Sequence, residues 1–468
     1  MTTIAEQLSE VGYRITQQGL SPELRREAAR RVLDVIGNSL AATNQPATQA
    51  VKKVVTAWAG PNEAVGIGAA AMPSAAAALL NGTLAHAMDF DDTHLPSVLH
   101  PSASVVPAAL AVGAKVGAPA TAVMDAIAFG IEVTCRLGMA GYDRELGNSV
   151  FFERGLHATS ICGTLGAAAA AAMILKLDAA GIASAIGIAS SMGAGLLEAN
   201  RTGGTVKRMH CGWAAHGGVV AAELAAAGIT GPPTVIEGRF GFMQAYCGDQ
   251  VNLNEITDGL GETWVLPGLF FKPYPCNHFT HAGIDAARKM KAAGISPDQI
   301  ESLELGVPTP VMRTIAEPRE AKIKPESGYH AAFSGPFTVA AAFYREHGLG
   351  LFHEDFENET AADPEILQLA AKVNVVSDAE CDAIFPHQFP AVLTAKLVDG
   401  TTVTEKVLVN RGGPDNPLTD SELALKFELN ANSALSAGTA KQVSATVFGF
   451  ADDSTSLADL TELLRAVH

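Results

Sequence analysis

Gly163-Thr164-Leu165-Gly166-Ala167-Ala168-Ala169-Ala170-Ala171-Ala172-Met173-Ile174-Leu175 decides the fold class. No charge interrupts it, and no side of its helical wheel is polar. A helix that is apolar all round must be enclosed on every side. Its small side chains let neighbouring backbones approach closely, so tightly packed helices are expected around it. Ala214 to Ala227 is also apolar nearly all round. Together the two segments predict the centre of a helical domain. Two further uncharged stretches, Ala64 to Ala85 and Ala179 to Leu197, reach the ~18 residues that can span a membrane. They consist largely of Ala, Gly and Ser, and Pro73 and Asn81 interrupt the first. They are expected to be buried segments of a soluble protein, not spans.

Other helices begin with recognisable signals. Ser21-Pro22-Glu23 combines a cap, a proline at the first helical position and an acid in the first turn. Leu24, Ala28, Val32, Val35, Ile36 and Leu40 follow at helical spacing, predicting one buried stripe. The pattern changes after about Pro267. Glu301-Ser302-Leu303-Glu304-Leu305-Gly306-Val307 alternates like a half-buried strand. Asp363-Pro364-Glu365 opens a helix, and Val373 to Val376 reads as a strand. Leu393 to Val398, Asp399-Gly400 and Thr401 to Val409 form a hairpin signal. Thr419 and Glu422 make a capping box, with Leu418 and Leu423 as its hydrophobic staple. The expectation is a mostly-α protein. A large, discontinuous all-α domain takes residues 1–268 and 415–468, and a smaller α+β domain takes residues 269–414.

The chain has 468 residues, 48% hydrophobic and 17% charged, which suits two globular domains and excludes disorder. The net charge of −17 speaks against nucleic acid and anionic membranes as partners. An anionic substrate would need a local basic cluster. The cysteines, at 135, 162, 211, 247, 276 and 381, form no C-x-x-C pair. Their scatter fits a reducing, cytoplasmic setting better than disulfides or an iron–sulfur cluster. The start, Met1-Thr2-Thr3-Ile4-Ala5-Glu6, reads as neither a signal nor a basic transit peptide.

Four polar segments could carry chemistry. The densest runs from Asn81-Gly82 through His86, Asp89-Phe90-Asp91-Asp92-Thr93-His94 to His100-Pro101-Ser102. It reads as metal ligation by Asp and His, or as acid–base catalysis with His100 transferring the proton. The plain alternative is helix-capping aspartates and solvated histidines. His157 enters a helix start, where the positive end favours a neutral imidazole and an anion nearby. Lys207-Arg208-Met209-His210-Cys211-Gly212 again leads a loop into a helix and offers cations for a carboxylate. Lys272-Pro273-Tyr274-Pro275-Cys276-Asn277-His278-Phe279-Thr280-His281 lies where the sequence pattern changes, and domain boundaries often host sites. Each of these three has a structural alternative: a satisfied histidine, a basic surface loop and a rigid linker. Serine-nucleophile, P-loop and dinucleotide motifs are missing.

In this order the segments resemble the MmgE/PrpD family, which includes 2-methylcitrate dehydratase, cis-aconitate decarboxylase and iminodisuccinate epimerase. The resemblance rests on Asn81-Gly82 with His86, Asp89 to Asp92, His100-Pro101-Ser102, Gly155 with His157, Lys207 with His210 and Gly212, Thr230-Gly231-Pro232 with Glu237-Gly238, and Lys272 with Tyr274-Pro275. It implies an all-α domain with an α+β lid, a homodimer, no metal and no other cofactor. It also implies a small polycarboxylate substrate. His100, His157, Lys207 and Lys272 match the family's catalytic positions. Asp89 and Thr93 match its substrate-binding ones, with His278 and His281 added from the lid.

The chemistry suits these types. Removing a proton next to a carboxylate builds charge that Lys207 and Lys272 can stabilise, while His100 or His157 moves the proton. The chain departs from the decarboxylases in one extra residue between Thr93 and His100. It has Asn277 in place of their lid histidine, and no counterpart of their lid tyrosine near Val311-Met312-Arg313-Thr314. The leading expectation is therefore a hydro-lyase on a methylcitrate-like acid. An epimerase of a substituted succinate and a cis-aconitate-type carboxy-lyase are the alternatives. A metal-dependent hydrolase using Asp89, Asp91, His94 and His100, and a non-catalytic binding protein, represent other classes.

Overall fold

Helix Pro22–Ala41 starts as its sequence dictates: the Ser21 hydroxyl accepts the Leu24 N–H, and Pro22 occupies the first helical position. The computed structural model describes residues 2–467 of the chain. In this helix Ala28, Val32, Val35, Ile36 and Leu40 are buried, and Leu24 is half-buried. The stripe is wider than its spacing predicts, because every residue from 31 to 40 is buried. Helices Ser74–His86, Ala120–Ala140 and Ala437–Phe448 all lie against it. Arg31 keeps its charge inside by donating to the Leu269 carbonyl at 3.1 Å, with Asp92 at 3.9 Å.

The chain divides into two units, Met1–Leu269 with Phe427–His468, and Phe270–Lys426. The alanine run forms helix Ala158–Ile174, whose every residue is buried. Helices Ser102–Val116, Ala120–Ala140, Ala179–Ala189 and His210–Ala226 surround it. The last of these is less enclosed than its composition predicts. Trp213 is 41% exposed, and its ring stacks on His216 at the surface. No helix among the described residues is long and apolar enough to cross a membrane. Of the two uncharged stretches, the first forms a short hairpin, Ala64–Val65 with Ala71–Met72, and then helix Ser74–His86. The second is helix Ala179–Ala189, capped by Asp178, and the loop that follows.

In the second unit strand Ile300–Val307 pairs in parallel with Val373–Ser377 and antiparallel with Ala391–Leu397, which pairs antiparallel with Thr402–Val407. Leu303, Leu305 and Val307 turn inward while Glu304 faces solvent, as the alternation requires; Glu301 and Ser302 are both exposed, where the register shifts between Ile300 and Ser302. Asp363 caps helix Pro364–Ala370, and Ser334 caps the buried helix Gly335–Tyr344. Thr419 and Glu422 form the expected reciprocal box, at 2.8 and 3.2 Å, ahead of helix Asp420–Ala431. The protein is mostly α with one small mixed sheet.

Candidate active site

Two helices cross at a pair of glycines and so fix the first side chains of the site. A Cβ on Gly82 would lie 2.8 Å from the Gly212 Cα, and one on Gly212 would meet the Leu79 carbonyl and the Thr83 hydroxyl. Only glycine permits this approach. It brings the end of helix Ser74–His86 against the start of helix His210–Ala226, so that His86 meets Cys211. Asn81 serves a different purpose, since its amide accepts the Ile67 N–H at 2.9 Å and donates to the Val65 carbonyl at 3.0 Å.

Beyond His86 the chain turns sharply, with Asp89 in the left-handed region at φ 52°, a conformation aspartate tolerates. The Asp91 carboxylate lies 2.8 Å from His86 Nδ1. Asp92 accepts the Ser102 hydroxyl at 2.6 Å and the Ser102 N–H at 3.3 Å, fastening the start of helix Ser102–Val116. The Asp92 carbonyl accepts His100 Nδ1–H at 2.6 Å, which makes Nε2 the basic nitrogen. That Nε2 lies 3.9 Å from Asp89, and both side chains are only partly buried. The His100 N–H also donates to Thr159 Oγ1 at 3.1 Å, tying the loop to the central helix.

The rings continue as a row. His86 lies 5.5 Å from His100 and 5.5 Å from His157, and His157 lies 5.1 Å from His210, between ring centres. At the end of the row the Nδ1 atoms of His157 and His210 are 3.0 Å apart. Asp89, His100 and His157 are therefore brought together. Lys207 sits on the turn Val206–Met209, and its charge acts on both His157 and His210. Thr93 is buried on the same loop as Asp89, and its hydroxyl has no hydrogen-bond partner among the described residues. Lys272, His278 and His281 are buried in the second unit. There the His278 ring lies among Phe270, His281 and Phe389, and the His281 ring meets Tyr274 edge-on.

Burial opposes charge on His86, but the Asp91 carboxylate and Cys211, each through charge and a hydrogen bond, together outweigh it and push the imidazole up to about 10. Burial also raises the Cys211 thiol, so it stays protonated near neutrality and Asp91 is the anion that matters. Burial pushes His157 well below its ordinary range, and His86, Lys207, His210 and His100 push the same way. His210 falls to about 4 through burial, His86 and Lys207. The row thus holds a fixed cation at His86 beside two neutral imidazoles.

His86, His210 and Cys211 lie in the segments that the sequence singles out but outside its catalytic and substrate-binding sets, and Asp91 enters there only as a ligand of the metal-dependent alternative. The solvated-histidine alternative fails, since His86 and His94 are each 3% exposed. The signal that could have found His86 is a histidine in a helix's last turn followed by an acid. The hydrolase set does not assemble as expected. His94 Nδ1 is bound to the Ser97 hydroxyl at 2.7 Å, and burial lowers its pKa to about 3. Among the described residues, donor atoms of Asp89, Asp91 and His100, and of His86, Asp91 and Cys211, come within 4.8 Å of one another. Asp91 belongs to both groups, and its Oδ2 already faces His86 Nδ1 at 2.8 Å, so a metal ion there would share the carboxylate with that cation.

The chain matches family models for the MmgE/PrpD N-terminal domain over residues 6–254 and the MmgE/PrpD C-terminal domain over residues 274–448. The cis-aconitate decarboxylase of Homo sapiens is 30% identical over 408 residues, covering 84% of this chain and 80% of that one. The cis-aconitate decarboxylase of Mus musculus is 27% identical over 490 residues, covering 99% and 94%. The cis-aconitate decarboxylase-like protein oryM of Aspergillus oryzae is 29% identical over 410 residues, covering 84% and 82%.

Proposed function

This chain belongs to the MmgE/PrpD family, and from that premise we propose that it is a lyase releasing carbon dioxide from a small unsaturated tricarboxylic acid of the cis-aconitate kind. The relatives named above move the carboxy-lyase ahead of the hydro-lyase that the sequence alone favours. The observation that carries the reading is the row itself: a fixed cation at His86, a half-buried lysine at 207 and neutral imidazoles in one cluster. Such a cluster offers an anionic substrate both charge and a proton carrier within a chain of net charge −17.

Loss of carbon dioxide breaks a carbon–carbon bond and leaves the electron pair on carbon, spread into the remaining conjugated carboxylate. A cation preorganised beside that carboxylate lowers the barrier because its attraction strengthens as charge develops. Lys207 takes this part, aided by Lys272. His157 returns the proton to carbon, with His100 orienting the substrate beside Asp89 and Thr93. Lys272 enters through the family resemblance, as do His278 and His281, whose aromatic surroundings favour a packing role. We take the enzyme to be a cytoplasmic homodimer that uses no cofactor. Six buried cysteines, none of them in a disulfide, suit a reducing compartment.

Proton NMR of EDTA-treated enzyme in deuterated water, with cis-aconitate, 2-methylcitrate, citrate and substituted succinates, tests this reading. The expected result is carbon dioxide release from cis-aconitate and a product carrying one solvent deuterium. Dehydration of 2-methylcitrate alone would restore the hydro-lyase, and exchange without net conversion would establish the epimerase.

A further inference from the structure

We infer that His210 is the proton partner of His157: the two rings form a neutral, oppositely protonated pair that passes a proton between the substrate and the far side of the site. This rests on the reading of His157 as the proton-transfer group.

The geometry allows little else. Two imidazoles joined Nδ1 to Nδ1 at 3.0 Å need one proton between them. If both rings are neutral, the ring that donates at Nδ1 has a bare Nε2. The ring that accepts at Nδ1 carries its proton on Nε2. One outer nitrogen is then a base and the other an acid, necessarily. The third possibility, a shared positive charge, is opposed by the surroundings. The His86 imidazolium lies 5.5 Å from the His157 ring, and Lys207 acts on both rings. Asp91, the nearby carboxylate, is taken up by His86 at 2.8 Å, and Cys211 keeps its proton.

The pair is also held in place. The His157 N–H donates to the Gly195 carbonyl at 3.0 Å. The Ser160 hydroxyl donates to the His210 carbonyl at 2.9 Å and the Ala194 carbonyl at 2.6 Å. A Cβ on Gly195 would lie 3.0 Å from the His157 Cβ and 3.4 Å from His210 Nδ1, so that wall is close on both rings.

A histidine barred from charging can give a proton only if another arrives behind it. His157 Nε2–H protonates the substrate carbon, and His210 Nδ1–H moves to His157 Nδ1. His210 Nε2 takes a proton from water, so each ring is neutral before and after. Once product leaves, water protonates His157 Nε2 and the pair resets by releasing a proton at His210 Nε2. The net consumption is the one solvent proton that enters the product.

The test begins with the substrate-free protein carrying 15N-labelled histidine. We expect a scalar coupling across the Nδ1–Nδ1 hydrogen bond, and one protonated and one bare Nε2, unchanged from pH 6 to 8. His210→Gln, which keeps a polar side chain but cannot relay, should lower kcat about 10²-fold or more with KM within threefold. Its solvent-isotope proton inventory should change from curved to linear, which a loss of packing alone would not produce. A missing coupling, a ring that titrates near 6.5, or a His210→Gln enzyme with full kcat would each overturn the inference. Wild-type enzyme inactive on every acid, with the coupling present, would count against the decarboxylase reading and leave the pair standing.

Discussion

The chain carries two groups of histidines, one in each unit, and they differ in what surrounds them. In the first unit His86, His100, His157 and His210 lie among Asp89, Asp91 and Lys207. In the second, His278 and His281 lie among the rings of Phe270, Tyr274 and Phe389. In the same unit Asp285 and Arg288 meet at the Tyr274 hydroxyl, which bonds Asp285 at 2.5 Å and accepts from Arg288 at 3.1 Å. Residue type is the same in both groups. A histidine beside fixed charges has its proton count set for it and becomes a carrier or an anchor. A histidine among rings contributes edge-to-face packing.

The strongest test exchanges the two groups in one assay. His157→Ala should lower kcat about 10²–10⁴-fold in an enzyme that still folds, alongside the cost of about 2–5 kcal/mol of truncating a buried side chain. His281→Leu should leave kcat within twofold and lower stability by about 1–3 kcal/mol, the usual cost of reshaping a filled interior. Steady-state kinetics and urea unfolding of both variants settle it. If His281→Leu loses turnover while remaining stable, the comparison breaks and the second group is part of the chemistry.

The next test addresses the anchor. Asp91→Asn leaves His86 buried without its carboxylate, and breaking a buried pair from one side costs about 3–5 kcal/mol. The pH dependence gives an independent check. His86 stands at about 10 in the folded protein against 6.5 ordinarily. Its stabilising contribution is therefore whole below 6.5 and lost as the pH rises towards 10. Urea unfolding at pH 7 and pH 9.5 should show wild type losing more stability over that interval than Asp91→Asn. Equal losses would mean that His86 is not held as a cation.

The difference between the two groups is only partly readable in the chain. Local signals suffice for the fold class: Ser21 and Asp363 begin helices, the hairpin turns at Asp399-Gly400, and Thr419 pairs with Glu422. They do not suffice for burial. Arg31 and Asp34 look like the solvent side of helix Pro22–Ala41, yet both are buried, and Arg31 reaches a carbonyl at Leu269 far along the sequence. The site divides in the same way. Asp89 and His100 share one loop and are visible together. His157 and His210 are 53 residues apart, and no local pattern joins them. His86 and Asp91 are near neighbours, but a helix end lies between them, and the spacing of a helix face does not apply across it.

The glycine crossing sharpens the comparison at lower energy. Gly212→Ala should cost about 1–3 kcal/mol through overpacking. Because Gly212 follows His210 and Cys211 on the same turn, kcat should fall alongside stability. An overpacking change in the second unit, Gly283→Ala, where a Cβ would meet Leu305 and Val339 at 3.2 Å, should cost stability only. Parallel losses of kcat in both would remove the special standing of the first crossing.

The smallest expected effect isolates a histidine near the charged row that is neither carrier nor anchor. His94 is buried, bonded to Ser97, and lowered to about 3. Its folded value lies below the unfolded one, so it favours folding least in acid: as the pH falls below 6.5 the unfolded chain takes up a proton that the folded chain refuses. That costs up to about 1.4 kcal/mol per pH unit. His157 and His210 add slopes of the same sign. His94→Gln removes one of the three, so between pH 7 and pH 5.5 it should lose about 1 kcal/mol less stability than wild type, with kcat unchanged. A matching loss in both proteins would place the proton of His94 in the folded state after all. The contrast with His157 would then rest on position in the row alone, because burial would no longer separate a neutral histidine from a charged one.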